Sequence, residues 1–221
     1  MLNKHVDQIY CINLKSRPER KERFLKRLTT LADTDESKLT FIEAVDGSKL
    51  EKVPPPFDAG WPHCTAGAYG CLKSHVKTLE HAIENRFNTI LIFEDDVTFR
   101  EGFKTTFETC LQHQQDLPSH WESIFLGANY QGLHSNVNKW FSKGQAYGAQ
   151  AYLIRNNWDV FKQIVDWGNT TPTEPIDVFY CKHLHNKHTN FFTNPLLCSQ
   201  EPGRSDIEGR DVDHRGVLGG F

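Results

Sequence analysis

No stretch of this 221-residue chain approaches the roughly 20 consecutive apolar residues that a membrane-spanning helix needs. No charge of one sign dominates either. The 25 basic and 28 acidic residues leave a formal net charge of -3, so no global basic field points to nucleic acid, although local basic patches remain open. The six cysteines contain no C-x-x-C pair, which argues against a zinc ribbon or a thioredoxin-like motif. Several lie inside apolar periodicity, such as Cys11 between Tyr10 and Ile12, and read as free buried thiols of a reducing compartment. Lys4, His5 and Asp7 stand where an apolar leader would begin, so a cytoplasmic protein with at most peripheral membrane contact is expected. No internal repeat is visible. What the chain does hold is 38% hydrophobic and 12% aromatic residues, ample for one large core.

The apolar pattern alternates between strand and helix. Gln8 to Leu14 reads as a strand, and Ser16-Arg17-Pro18-Glu19 matches a capping box that opens a helix carrying Phe24, Leu28 and Leu31 on one face. Lys38 to Val45 reads as a second strand closed by the turn Asp46-Gly47, and three successive prolines make Val53 to His63 a loop. Leu72, Val76, Leu79 and Ile83 place a helix over Cys71 to Arg86, followed by a strand from Thr89 to Phe93. Further helices are expected around Phe103 to Leu111, over Trp158 to Trp167 with Gly168 as the stop, and over Ile176 to Leu184. Strands are expected at Ser123 to Leu126 and Ala149 to Ile154. Alternating elements imply a mostly parallel sheet with helices on both faces. One domain over 1–202 is expected, with 203–221, which carries five glycines, as a mobile tail; folding over a bound ligand is its other arrangement, and would bring His214 in.

Three carboxylates in a row, Glu94, Asp95 and Asp96, close the strand Ile90-Leu91-Ile92-Phe93. Side by side they repel one another, and hard divalent cations prefer such oxygens. Ligands in open α/β sheets bind beyond the carboxyl ends of strands, which is where this triplet falls. A plain surface cluster and a metal site for phosphoryl transfer, hydrolysis or sugar transfer all remain open from spacing alone.

Several segments narrow the choice together. Ile12-Asn13-Leu14 precedes an arginine-rich helix start through Arg20; Ala44-Val45-Asp46-Gly47 forms a turn; Gly70-Cys71-Leu72-Lys73-Ser74-His75 opens the next helical stretch; Glu94-Asp95-Asp96-Val97 ends the acidic strand. Trp121 to Gly127, the strand Ala151-Tyr152-Leu153-Ile154 and the segment Pro175-Ile176-Asp177 follow in order. In content, order and spacing this set resembles glycosyltransferase family 25, the group holding lipooligosaccharide and procollagen galactosyltransferases, over about residues 8 to 206. The resemblance implies an A-type glycosyltransferase fold, a nucleotide-sugar donor such as a UDP-hexose, a Mn²⁺ or Mg²⁺ ion and inversion at the anomeric carbon.

It also implies roles for residues. Asp96 is the first expected metal ligand and Glu94 a second, direct or through water. Asp95 is expected towards the ribose or donor sugar, with the alternative of Asp95 as principal ligand left open. Asn13 and Leu14 would hold the base, completed by Val45 and Asp46, while Arg17 and Arg20 would reach the ribose or diphosphate. Lys73, Ser74 and His75, taken as a helix start, would favour an anion. Asp177 is the expected general base, and Asp159 reads as ordinary first-turn charge. Many A-type enzymes draw a late histidine to the metal; Gln200 stands in that stretch here, so a shell richer in water is expected. His183, His185 and His188 lack partners at ligand spacing and read as a solvated helix end. Phe57, Trp61, His63, Tyr130 and Trp140 offer aromatic faces for a glycan, lipid-linked glycan or glycoprotein acceptor. A sugar-phosphate nucleotidyltransferase would use the same parts but normally has a glycine-rich loop, absent after Leu14. A non-catalytic sugar-binding or nucleotide-binding module is the third reading.

Overall fold

The computed structural model describes residues 2–213 except 33, 35, 55, 56, 58–63 and 188. Trp61, His63, His188 and His214 therefore lie outside the described residues.

In chain order the first half comprises β1 (Gln8–Asn13), α1 (Pro18–Leu31), β2 (Leu39–Glu43), a short 3₁₀ turn (Gly47–Lys49), α2 (Ala66–Glu84), β3 (Thr89–Glu94), β4 (Val97–Phe99) and α3 (Phe103–Gln112). The strands β5 (Ser123–Phe125), β6 (Asn129–Tyr130), β7 (Ser135–Asn136), β8 (Phe141–Lys143), β9 (Ala146–Tyr147) and β10 (Ala151–Arg155) follow. Then come α4 (Val160–Thr170), α5 (Ile176–Phe179), which runs into a π-helical turn at Tyr180–Leu184, and β11 (Asn190–Thr193), β12 (Cys198–Gln200), β13 (Gly203–Arg204) and β14 (Asp211–Val212).

The main sheet has the order β2-β1-β3-β10-β5-β11-β8-β7. The pairings make it mostly parallel, with only β10 and β8 reversed. β1 and β3 are continuous apolar runs because both faces of the sheet are covered. Ile9, Cys11, Leu91 and Phe93 pack on one side with Phe24 and Leu28 of α1 and Phe103 and Phe107 of α3. Tyr10, Ile12, Ile90 and Ile92 face the other way, onto Leu72, Val76 and Leu79 of α2 and Phe161 and Ile164 of α4. Truncating a fully buried ring such as Phe93 to alanine costs about 3–5 kcal/mol.

The parallel run β2-β1-β3 sets its carboxyl ends side by side, so Leu14, Ala44–Asp46 and the acidic triplet meet at one edge of the sheet. Two glycines make that meeting possible. A Cβ on Gly47 would lie 2.1 Å from the Ala66 carbonyl oxygen, and one on Gly70 would lie 2.5 Å from the Val45 oxygen. The turn after β2 thus rests directly on the backbone of α2. Strand β12 pairs antiparallel with β4, placing Gln200 opposite Val97, and the Glu201 amide donates to the Asp96 carbonyl at 2.8 Å.

Some expectations fail for local reasons. The Ser16 capping box is not made: Arg17 is the N-cap without a side-chain bond, and the Asn13 amide donates to the Arg17 carbonyl instead. Helix α2 begins at Ala66, five residues before the expected Cys71, because the Thr65 hydroxyl accepts the Ala68 amide at 3.0 Å. Gly168 does not stop α4. It lies within the helix, where a Cβ would meet Val76 Cγ2 at 2.4 Å, and so lets α4 approach α2. Asp159 lies in the first turn of a short 3₁₀ helix (Asn157–Asp159) and, left-handed at φ 55°, is the N-cap of α4. Four of the six cysteines, Cys11, Cys110, Cys181 and Cys198, are buried.

Candidate active site at the carboxyl edge of the sheet

Two adjoining cavities open at this edge, and Glu94, Cys71, Gln200, Ser205 and Ile207 line both. The first, of about 120 Å³, is walled by Leu14, Arg20, Val45, Asp46, Asp95 and Asp96. The second, of about 450 Å³, is walled by Tyr147, Gly148, Gln150, Asp177, Glu208 and Arg210.

The three carboxylates of the triplet have different surroundings. Asp95, 6% exposed, accepts from the Asn13 amide at 2.7 Å and from Arg20 at 3.3 Å. Burial pushes its carboxyl up, and the bonds from Asn13 and Arg20 oppose that shift. Asp96 holds Arg20 at 3.5 Å through one oxygen, while its enclosed Oδ1 has no hydrogen-bond partner among the described residues. Burial, reinforced by Glu94 and Asp95, raises this carboxyl to about 8. An orphaned oxygen among repelling carboxylates is what a divalent cation would relieve, so Asp96 and Glu94 fit a hard metal ion. Glu94 is held from both sides: Oε1 lies 3.2 Å from His75 Nε2, and Oε2 accepts the Gln200 amide at 3.3 Å.

The expected site residues divide into three groups. Leu14, Arg20, Val45, Asp46, Glu94, Asp95, Asp96 and Gln200 face the first cavity, and Asp177 faces the second. Asp46 is also spent locally, capping the 3₁₀ turn through Ser48 and pairing with Lys49. Asn13 and His75 stand behind the walls as supports for Asp95 and Glu94. Lys73 does not join the site: its ammonium bonds the Gly168 carbonyl and Asn169 on α4. The anion-binding helix start expected at Lys73 to His75 is not there, because α2 starts at Ala66 and these residues sit in its interior.

Arg17 turns to a partner that the sequence did not point to. Its guanidinium forms a fork onto Asp206, at 3.0 and 2.5 Å, and Arg20 reaches the same carboxylate at 3.7 Å and donates to the Arg204 carbonyl at 2.6 Å. The segment expected as tail therefore supplies, in β13 and β14, a hairpin over the first cavity. Ile207 continues it onto α2, where a Cβ on Gly67 would lie 2.7 Å from the Ile207 backbone, and Thr65 donates to the Ile207 carbonyl.

Asp177, in the first turn of α5, is enclosed. Its Oδ2 accepts the Gly148 amide at 3.1 Å and Oδ1 its neighbour Val178 at 2.9 Å. Burial pushes the carboxyl up, opposed by the two amides. Beside it, Gln150 is 0% exposed with neither amide atom partnered among the described residues, and a Cβ at Gly127 or Gly148 would lie 2.6 Å from that amide. Sequence reasoning missed Gln150, Cys71 and the hairpin. The Gly-x-Gln spacing of 148–150 was the available signal for the first, and none marked the hairpin.

The aromatic candidates for acceptor stacking sit elsewhere. Phe57 is buried against Tyr69, Tyr130 stacks on His134 and meets Phe192 at a tilt, and Trp140 lies on His113. His183 pairs with Glu174, and His185 is a buried imidazole against Phe125 and Phe192 rather than a solvated helix end.

A mostly parallel sheet with an acidic strand end and a flanking pair of cavities is the architecture of A-type glycosyltransferases. A solved glycosyltransferase involved in glycosylation of the major capsid of PBCV-1 superposes with a TM-score of 0.50 at 8% identity, over 91% of this chain and 95% of that one. Residues 6–158 match the model of glycosyltransferase family 25 (LPS biosynthesis protein), and the chain belongs to that family. Human procollagen galactosyltransferase 2 is 30% identical over 201 residues, covering 82% of this chain and 31% of the relative. A bovine probable inactive glycosyltransferase 25 family member 3 is 28% identical over 164 residues, 67% of this chain and 27% of the relative. The chain thus spans about a third of the length of these curated relatives or less.

Proposed function

We propose that this chain transfers a hexose, galactose or glucose, from a UDP-sugar to a hydroxyl of a glycan, lipid-linked glycan or glycoprotein, with inversion and with Mn²⁺ or Mg²⁺ bound at Asp96 and Glu94. The observation that carries the reading is the enclosed, partnerless Asp96 Oδ1 at the junction of an arginine-bearing cavity and a larger one. The galactosyltransferase relative and the family description favour a sugar donor over a sugar phosphate.

Each cavity then has a task. Val45, Asp46 and Leu14 border the space for the base, and Arg20 faces the diphosphate, with Arg17 one helical turn away behind Asp206. Asp96 and Glu94 would hold the cation, which would supply charge stabilisation to the leaving diphosphate. Asp177 faces the acceptor in the second cavity. An enclosed carboxylate with its pKa raised is a stronger base than an exposed one, and Asp177 takes the proton from the attacking hydroxyl. Gly148 and Val178 hold both its oxygens in place through one lone pair each, leaving the others for that proton.

Thermal shifts against a panel of nucleotide sugars, with and without Mn²⁺, test the reading. Ligand at a hundred times its Kd stabilises by about 2.7 kcal/mol, a shift of several degrees. A metal-dependent shift by UDP-hexoses and turnover of one of them is the expected result; no metal-dependent shift by any UDP compound overturns it. The relatives named inactive favour a second reading, a non-catalytic sugar-binding module, which predicts the shift without transfer or donor hydrolysis.

A further inference from the structure

Cys71, His75 and Glu94 bring a thiol, an imidazole nitrogen and a carboxylate oxygen to within 4.8 Å of one another. We propose that these three side chains form a binding site for a thiophilic divalent cation of the Zn²⁺ class, which takes Glu94 away from the oxygen-ligated ion at Asp96.

The local fold builds the donor set. Cys71 and His75 are one turn apart on α2 and share the face turned to the end of β3. Cys71 Sγ lies 3.7 Å and His75 Nε2 3.2 Å from the same oxygen, Glu94 Oε1. Zinc bonds of about 2.3 Å to sulfur and 2.0–2.1 Å to nitrogen and oxygen put tetrahedral ligands roughly 3.5 Å apart, so small side-chain adjustments close the set. Thiolate and imidazole favour zinc over Mn²⁺ or Mg²⁺, whose ligands are oxygens.

The surroundings are those of a metal site. His75 is 0% exposed and its Nδ1 is 2.9 Å from the Tyr152 hydroxyl, which lies 3.0 Å from that of Tyr180. Without metal, Nε2 pairs with Glu94 Oε1 and Nδ1 with the Tyr152 hydroxyl. With metal on Nε2 the ring proton is on Nδ1, which donates to the Tyr152 oxygen, and Tyr152 donates to Tyr180. The Cys71 thiol gives up its proton to solvent as the metal binds. Glu94 Oε2 has its own support in the Gln200 amide. Thiolate, neutral imidazole and carboxylate neutralise the dication, which suits a half-buried site. Cys71 and Glu94 line both cavities, which gives the ion an entry path and leaves water the fourth position.

The site itself needs no donor sugar, so its test is independent of the proposed transferase reading; only the competition for Glu94 rests on it. Co²⁺ is titrated into the full chain and its absorption followed. A tetrahedral d–d band with a thiolate-to-cobalt charge-transfer band is expected, displaced by Zn²⁺. Cys71→Ser should lose the charge-transfer band and bind Zn²⁺ at least tenfold more weakly, while Cys64→Ser, at the other half-buried thiol, should keep both. Zn²⁺ should also abolish the Mn²⁺-dependent thermal shift by UDP, with at least tenfold more Zn²⁺ required in Cys71→Ser. The absence of a thiolate band in the unaltered chain, a Zn²⁺ affinity unchanged by Cys71→Ser, or Zn²⁺ bound through the thiolate without effect on an Mn²⁺-dependent UDP shift would overturn the proposal. The cobalt spectrum of the unaltered chain decides the matter even if the serine variant folds poorly.

Discussion

The two cavities that meet at Glu94 are built on opposite principles. The first is crowded with charge that is paired except at Asp96 Oδ1: Arg20 answers Asp95, the other oxygen of Asp96 and Asp206, and the hairpin over it is tied down by Arg17. The second is nearly four times larger, and its wall holds Asp177, fixed by two backbone amides, beside a buried Gln150 amide that no described residue satisfies. Paired charge suits a ligand that brings its own charge and exchanges partners, as a diphosphate would with Asp206. Unpaired buried polar atoms suit a neutral, hydroxyl-rich ligand that supplies the missing bonds. On the proposed reading the nucleotide takes the first side and the sugar chemistry the second.

The largest effect should come from the second cavity. Asp177→Asn should lower kcat by about 10²–10⁴, the usual worth of a positioned base, and leave the Kd for UDP unchanged. Retained turnover would remove Asp177 from the reaction. Arg20→Lys tests the first cavity and should do the reverse. Losing the guanidinium fork while keeping the charge near Asp95 should weaken UDP about tenfold, with kcat at saturating donor little altered. A loss of kcat at constant Kd would erase the distinction between the cavities.

The smallest effect concerns the support beneath the second cavity. The Ala146 amide donates to His185 Nδ1 next to the wall residue Tyr147, and burial lowers this imidazole from 6.5 to about 3. Between those values the unfolded chain binds a proton that the folded chain does not. Stability should therefore fall as pH drops from about 6.5 towards 3, by at most about 1.4 kcal/mol per pH unit from this group. Urea midpoints measured across that range should show a shallower slope for His185→Phe. An unchanged slope would show that His185 titrates alike in both states.

What was legible in the sequence followed its periodicity. β1 and β3 are continuous apolar runs because helices cover both faces, and a charged triplet after such a run has to emerge at a strand end. Asp177 and the Val45–Asp46 turn were readable through the motifs around them. The misreadings arose where glycine serves packing rather than termination. Gly67 and Gly70 hide the first turn of α2, which gives Lys73 and His75 a helix-start role they do not have, and Gly168 reads as a stop although it seats α4 against Val76. The hairpin at 203–213 was illegible for another reason. It carries no apolar period, and what holds it are contacts from far back in the chain: Arg17 to Asp206, 189 residues away, Arg20 to the Arg204 carbonyl and Thr65 to the Ile207 carbonyl.

The central claim is that the orphaned oxygen of Asp96 marks the cation that joins the two cavities. Calorimetric titration of UDP into the full chain, with Mn²⁺ and with chelator, addresses it most directly. The account predicts binding at least tenfold tighter with Mn²⁺ in the unaltered chain and no metal dependence in Asp96→Asn. Equal affinity with and without Mn²⁺, or a full metal effect in Asp96→Asn, would contradict it.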